Sequence, residues 1–277
     1  MNVFFYIVPL IAFLSVVLLI PLAIRWAYCW GFLDMPSADG ERKQHDEAVP
    51  PIGGIVIFPV FLVALYVSGF NLLNHWAIWI ALILVVITGA LDDRFHIHTY
   101  IKLVIQVIAS LLIIWPGGAM IDQLGNMFGW GEVNLGIFAP IFSFAAVLLL
   151  INAMNLSDGL DGLCGGIAFV ILGWLFFAAL IGERESILRI IIMLMAVLAG
   201  FLIYNFQHPL RRKASVFIGD SGSMALGVMI AFLAISLGKD TVSTEGVPRI
   251  FSPISVAWVI AIPIMDACAQ FIRRMPQ

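Results

Sequence analysis

Asn155, Asp158 and Asp161 stand three residues apart in the run Asn155-Leu156-Ser157-Asp158-Gly159-Leu160-Asp161-Gly162. Positions i and i+3 share a face of a helix or tight turn, so this spacing aims a carboxamide and two carboxylates the same way. Asp220 sits in Gly219-Asp220-Ser221-Gly222-Ser223, where glycines let a ligand approach the backbone. Asp92 and Asp93 close an apolar run. Five carboxylates beside apolar segments are costly unless paired, hydrated or metal-bound. A hard divalent cation with oxygen ligands offsets their repulsion; Mg2+ fits best, with Mn2+ the alternative. Arg42, Lys43, Lys102, Arg211, Arg212 and Lys213 complement the acids as phosphate ligands. Acid for metal, base for phosphate and glycine for close approach suggest phosphoryl transfer or a diphosphate substrate.

Each feature has a plainer reading when taken alone. Arg211-Arg212-Lys213 is then a topology signal. Asp39, Glu41, Asp46 and Glu47 are solvated loop charges, and His96 and His98 are interfacial polar residues. Trp115 and Trp130 are interface anchors. The joint occurrence of four polar clusters on one side of the chain outweighs these readings.

The elements that must position these groups are set by composition. Of 277 residues, 62% are apolar and 11% charged, against roughly 45–50% and about 25% in soluble domains. Mean hydropathy is +1.06. Lipid must solvate much of this surface, which excludes a cytosolic enzyme, a secreted disulfide scaffold and a disordered chain. The net charge of −3 does not suggest a nucleic-acid partner. Cys29, Cys164 and Cys268 have no metal-ligand spacing and read as free thiols. The first apolar run lacks the basic leader and cleavage site of a signal peptide.

Spans of roughly 20 apolar residues are expected near Leu14, Phe61, Leu84, Ser110, Ala145, Gly173, Leu194, Val228 and Val259. The expected fold is all-α: one integral membrane domain, 1–277, a polytopic bundle of about nine transmembrane helices. Alternating the loops puts ten of the fourteen Lys and Arg residues on the side that carries every polar cluster. The positive-inside rule makes that side cytoplasmic, with the N-terminus outside and the C-terminus inside. The outer loop 116–136 is glycine-rich and suits a short hairpin around Gly129-Trp130-Gly131.

The segments GALDDRFHIHTYIKLVIQ, NAMNLSDGLDGL and RRKASVFIGDSGSMALG resemble the polyprenyl-phosphate N-acetylhexosamine-1-phosphate transferases of the glycosyltransferase 4 type. The resemblance runs from about Gly31 to Arg274 and is nearest to members that join UDP-GlcNAc to undecaprenyl phosphate. It implies transfer of GlcNAc-1-phosphate with release of UMP, at a bacterial inner membrane and facing the cytoplasm. This would be the initiating lipid-linked step of a cell-surface glycan. It further implies that Asp220 is a Mg2+ ligand, with Asn155 a second. Asp92 is the base or orienter at the lipid phosphate, and Asp93 helps organise metal and phosphates. Lys102 touches the diphosphate, while Asp158 and Asp161 orient nucleotide and sugar phosphate. Phe217 stacks on uracil with Asn205 bonding near it, and Lys43 lies near the nucleotide. The Arg211-Arg212-Lys213 run favours GlcNAc over MurNAc-pentapeptide.

The independent chemistry agrees. Attack by a phosphate oxygen on the β-phosphorus needs charge neutralisation and in-line positioning more than covalent help. Direct displacement is favoured, with a covalent aspartyl intermediate left open. Family members continue past the ninth span into a His-rich HxHH loop and further spans, whereas this sequence stops at Gln277. A truncated, weakly active or binding-only member is therefore an alternative, as is a transferase of another UDP-N-acetylhexosamine. A transporter fits less well, because the acids gather at one face rather than along a midplane path. A homodimer is compatible with the sequence, but no feature demonstrates one.

Overall fold

The computed structural model describes residues 4–33, 48–126, 131–207, 213–239 and 253–274. These form ten α-helices: α1 (Phe4–Trp30), α2 (Gly53–Val67), α3 (Trp76–Phe95), α4 (Thr99–Ile114), α5 (Ala139–Leu156), α6 (Leu163–Ile181), α7 (Glu185–Asn205), α8 (Gly219–Lys239), α9 (Pro253–Val259) and α10 (Ala261–Arg274). In lipid every backbone polar group needs an internal partner, which makes helices the economical solution for an apolar chain. Six of them are long and apolar enough to cross a membrane, and α2 and α4 are shorter apolar helices. The chain is a polytopic membrane protein.

The expected ninth span is instead broken at Ile260 into α9 and α10. Pro263 is the cause. It has no N–H to bond the Val259 carbonyl, and its ring sits in the first turn of α10, where it fits without strain. α10 is amphipathic. Ile262, Met265, Phe271 and Ile272 are exposed, while Gln270 donates to the Leu156 carbonyl at the end of α5 (3.3 Å).

The centre of the bundle is α8, which packs against α2, α3, α5, α6 and α9. In α8, 89% of the span is buried, against 22% in α1, which faces outward. Water expulsion cannot drive helices together in lipid, so close packing must do so, and small residues permit it. Gly227 of α8 meets the α5 backbone at Ile151, and Gly54 of α2 meets α8 at Gly222. Gly200 of α7 lies against Phe13 and Val16 of α1.

α2 has 15 residues, about 22 Å at ~1.5 Å each, less than the ~30 Å hydrocarbon thickness. The chain before it is buried in protein rather than exposed to lipid. Its backbone groups pair with the segment before α8. Phe217 N–H donates to the Pro50 carbonyl (3.0 Å), Gly53 N–H to the Phe217 carbonyl (2.9 Å) and Gly54 N–H to the Ile218 carbonyl (2.9 Å). At the opposite end, Gln123 and Asn134 form an antiparallel bridge, the base of the expected hairpin; its tip, 127–130, lies outside the described residues.

Candidate active site

α3 ends in Asp92-Asp93-Arg94-Phe95, and His96 terminates it in a left-handed conformation (φ 51°). Adjacent residues on a helix point about 100° apart, as 3.6 residues per turn requires. Asp92 and Asp93 therefore meet different partners. Asp92 Oδ2 accepts from Lys102 Nζ at 2.8 Å. Lys102 sits in the first turn of α4, and only three residues separate α3 from α4, so the short link sets this pair.

Lys102 also bonds Asp220 Oδ2, so its ammonium lies between two carboxylates. Asp220 is the second residue of α8, and its Oδ1 accepts from Asn155 Nδ2 at 2.8 Å. Asn155 occupies the last turn of α5 and also donates to Ser223 Oγ (3.0 Å). Four helices thus converge on one point. The side chains of Lys102, Asp92 and Asp220 keep 20%, 18% and 25% of their exposure, so a ligand can reach them. One turn below, Asn152 Nδ2 donates to Gln106 Oε1 (2.9 Å) and to the Leu148 carbonyl (2.8 Å), bracing α4 against α5.

Asp93 turns toward the start of α8. Its Oδ1 accepts from Asp220 N–H (2.9 Å) and its Oδ2 from Ser221 N–H (3.3 Å). Helix starts leave such N–H groups without intrahelical partners. Gly89 makes the approach feasible: it lies one turn before Asp93 on the same face, and a Cβ there would overlap the α8 backbone at Asp220 and Ser221.

The expectation that Asn155, Asp158 and Asp161 aim alike is corrected. α5 ends at Leu156, so only Asn155 is helical, and Asp158 and Asp161 lie in the turns before α6. Asp161 Oδ2 accepts from Gln207 Nε2 and from Ala214 N–H, both at 3.1 Å. Asp161 thus faces the segment leading to α8, while Asn155 faces Asp220. Asp158 is half-buried in the intervening turn. Lys43, Arg211 and Arg212 lie outside the described residues, and Lys213 is exposed.

Asn205, expected to bond near the base, is held by the protein's own backbone. It is buried, its Oδ1 accepts from Gly162 N–H (3.0 Å), and its Nδ2 donates to the Val216 carbonyl (2.9 Å). Its carboxamide staples the 157–162 turn to the 214–218 segment. Half-buried Phe217 is the next residue, so Asn205 sets the position of Phe217 through the backbone. Asn205→Ala should strand a buried N–H and a buried carbonyl. The expected loss is about 2–4 kcal/mol, from about 1–3 kcal/mol per unsatisfied group with partial relaxation. A thermal melt in detergent checks this, and an unchanged melting temperature would show that the staple is dispensable.

Gln106, Ser223, Gln207 and Gln270 were not singled out from the sequence. Gln106 carries a signal in retrospect: it is a buried polar residue one helical turn from Lys102 in an apolar helix. The other three are ordinary polar residues until folding brings them to the site.

Among the described residues, no three His, Cys, Asp or Glu side chains converge as a ready-made metal cage. The donors at the convergence are two carboxylates and a hydroxyl, and the Asn155 oxygen joins them once its amide, which presents NH2 to Asp220, turns over. These hard oxygen donors suit Mg2+, and the Lys102 ammonium already marks the point as one that attracts a cation.

The comparisons with known proteins follow the same segments. Residues 75–238 match the family model "Glycosyl transferase family 4". The "Undecaprenyl-phosphate alpha-N-acetylglucosaminyl 1-phosphate transferase" of Yersinia pestis is 30% identical over 246 residues, covering 88% of this chain and 64% of that protein. The protein of the same name in Escherichia coli (strain K12) matches with the same identity and coverage. The "Probable undecaprenyl-phosphate N-acetylglucosaminyl 1-phosphate transferase" of Bacillus subtilis (strain 168) is 32% identical over 267 residues, covering 96% of this chain and 70% of that protein. The chain thus spans a little under two thirds of the Yersinia pestis relative's length. The family match runs from the start of α3 to the end of α8 and holds Asp92, Lys102, Asn155 and Asp220 together, and on that ground the chain belongs to glycosyl transferase family 4.

Proposed function

We propose that this chain transfers GlcNAc-1-phosphate from UDP-GlcNAc to undecaprenyl phosphate, yielding undecaprenyl-diphosphate-GlcNAc and UMP. The reaction takes place at the cytoplasmic face of a bacterial inner membrane, as the first lipid-linked step of a surface glycan. The observation that carries this reading is the Asp92–Lys102–Asp220–Asn155 cluster at one end of a membrane bundle. The names of the relatives supply the substrates.

An oxygen of the acceptor phosphate attacks the β-phosphorus, the P–O bond to the α-phosphate breaks, and UMP departs with that oxygen. Two anions must meet, so neutralisation and alignment are the main tasks. Asp220 and the carboxamide oxygen of Asn155 would hold Mg2+, which when bound neutralises diphosphate oxygens. Lys102 moves its charge from the carboxylates onto the diphosphate. Asp92, released from Lys102, keeps the attacking phosphate deprotonated and oriented. Asp158 and Asp161 order the turn facing the nucleotide, and Phe217 offers a ring for uracil. Lys43, Arg211 and Arg212 serve as further phosphate contacts. An apolar groove of about 880 Å3 between α6 and the α9–α10 segment is lined by Ile167, Val170, Trp174, Trp258 and Ile262, with Asp161 also in its wall. It is compatible with a lipid acceptor, because a polyprenyl tail needs apolar cover.

The test is UMP release by the purified 277-residue chain given UDP-GlcNAc, Mg2+ and undecaprenyl phosphate. Release that requires the lipid is expected. No release from well-folded protein would overturn the reading. Equal rates with UDP-GalNAc would defeat its GlcNAc specificity.

A further inference from the structure

We propose that Asp93 is a positioning residue that grips the first turn of α8 and so aims the Asp220 side chain, and that it neither ligates metal nor touches phosphate. The kinetic part of this inference rests on the transferase reading above.

Three observations converge. First, each carboxylate oxygen of Asp93 accepts a backbone N–H of α8: Oδ1 from Asp220 (2.9 Å) and Oδ2 from Ser221 (3.3 Å). Asp93 therefore serves as the cap of a helix to which it does not belong, with its charge at the positive end of the α8 dipole. Second, α8 has no side chain of its own to do this. The residue ahead of Asp220 is Gly219, held at φ +72°, where an added Cβ would come within 2.6 Å of both Asp93 Oδ2 and the Pro51 carbonyl. Backbone therefore packs against that oxygen on this side. Third, Lys102, which marks the cation point, bonds Asp92 and Asp220, whereas Asp93 points to the α8 backbone behind it.

The two neighbouring aspartates thus divide the work. Asp92 faces the reacting groups. Asp93 fixes the backbone of Asp220, so one peptide unit of α3 sets the separation between Asp92 and Asp220. Misplacement of a reacting group by about 1 Å costs on the order of 10²-fold in rate, which is why such a grip matters to turnover.

Asp93→Asn tests it, since the amide puts an NH2 group against an α8 N–H that needs an acceptor. The full chain in detergent is titrated with Mn2+ alone and followed by electron paramagnetic resonance. UMP release is measured in parallel, with kcat and KM separated. For Asp93→Asn we expect Mn2+ affinity and the KM for UDP-GlcNAc each within about threefold of wild type, and kcat lower by about 10–100-fold. Gly219→Ala, which leaves every carboxylate in place, should give the same split. Asp220→Asn, by contrast, should lose Mn2+ binding. Amide exchange at Asp220 and Ser221 should accelerate at least tenfold in Asp93→Asn, a readout that needs no turnover. A tenfold or greater loss of Mn2+ affinity in Asp93→Asn would make Asp93 a ligand and overturn the inference, as would unchanged exchange at the two amides. If the wild type releases no UMP, the transferase reading fails, while the Mn2+ and exchange arms still decide the role of Asp93. If Asp93→Asn does not fold, Gly219→Ala decides by the same measurements.

Discussion

Asp220→Asn is expected to lower turnover by at least about 10³-fold while leaving the protein folded. The magnitude follows from the role proposed for the carboxylate. A metal that neutralises diphosphate oxygens contributes several kcal/mol to the transition state, and about 4 kcal/mol corresponds to about 10³-fold. Asn keeps the shape and one oxygen, so the bond from Asn155 can persist, and the backbone N–H of residue 220 still reaches Asp93. Its NH2 group, however, faces the Lys102 ammonium, a donor against a donor. Lys102 retains Asp92 as a partner. The Lys102–Asp220 pair is also partly exposed, so the stability cost should be only about 1 kcal/mol. Initial rates of UMP release and a thermal melt in detergent separate the two effects. Activity within tenfold of wild type would remove Asp220 from the reaction centre. A collapsed melting temperature would make its role structural.

Gly89→Ala should be nearly as damaging, through a single methyl group. That methyl would overlap the α8 backbone at Asp220 and Ser221. Backbone cannot rotate away as a side chain can, so α3 and α8 must part. Overpacking of this kind costs about 1–3 kcal/mol. The separation also draws Asp92 and Asp93 away from Asp220, and an error of about 1 Å at a reacting centre costs on the order of 10²-fold. We therefore expect a lower melting temperature together with a turnover loss of about 100-fold. Gly173 in α6 provides the control. Nothing lies within 4 Å of a Cβ placed there, and Gly→Ala within a helix gains about 0.5–1 kcal/mol. Gly173→Ala should be neutral or mildly stabilising in the same assays. Equal behaviour of the two alanine variants would mean that α3 and α8 do not touch at Gly89.

Much of the architecture was legible because lipid imposes a coarse rule: an apolar stretch of sufficient length becomes a helix. That rule located α1, α3 and α5 through α8. It failed at α9 and α10, where hydropathy sees only apolar content. Pro263 interrupts the backbone hydrogen bonding without changing that content, and the interruption leaves an amphipathic helix whose Gln270 reaches the end of α5. Periodicity misled at Asp161 for a related reason. A spacing of three implies a shared face only while a helix continues, and α5 stops at Leu156.

The sequence by itself determined that this is a membrane bundle and which polar residues it carries, because composition and motif spacing are local properties. Asp92, Lys102, Asn155 and Asp220 could be named from types and neighbours alone. Only the tertiary structure decided what each of them meets. Asp92 and Asp93 are adjacent and chemically identical, yet the turn of a helix sends one to Lys102 and the other to the start of α8. Asn205 closes an apolar helix, and only the fold shows that its carboxamide joins Gly162 to Val216. Direction and partner depend on helix phase and on glycine contacts between segments more than a hundred residues apart. A one-dimensional pattern does not contain that information.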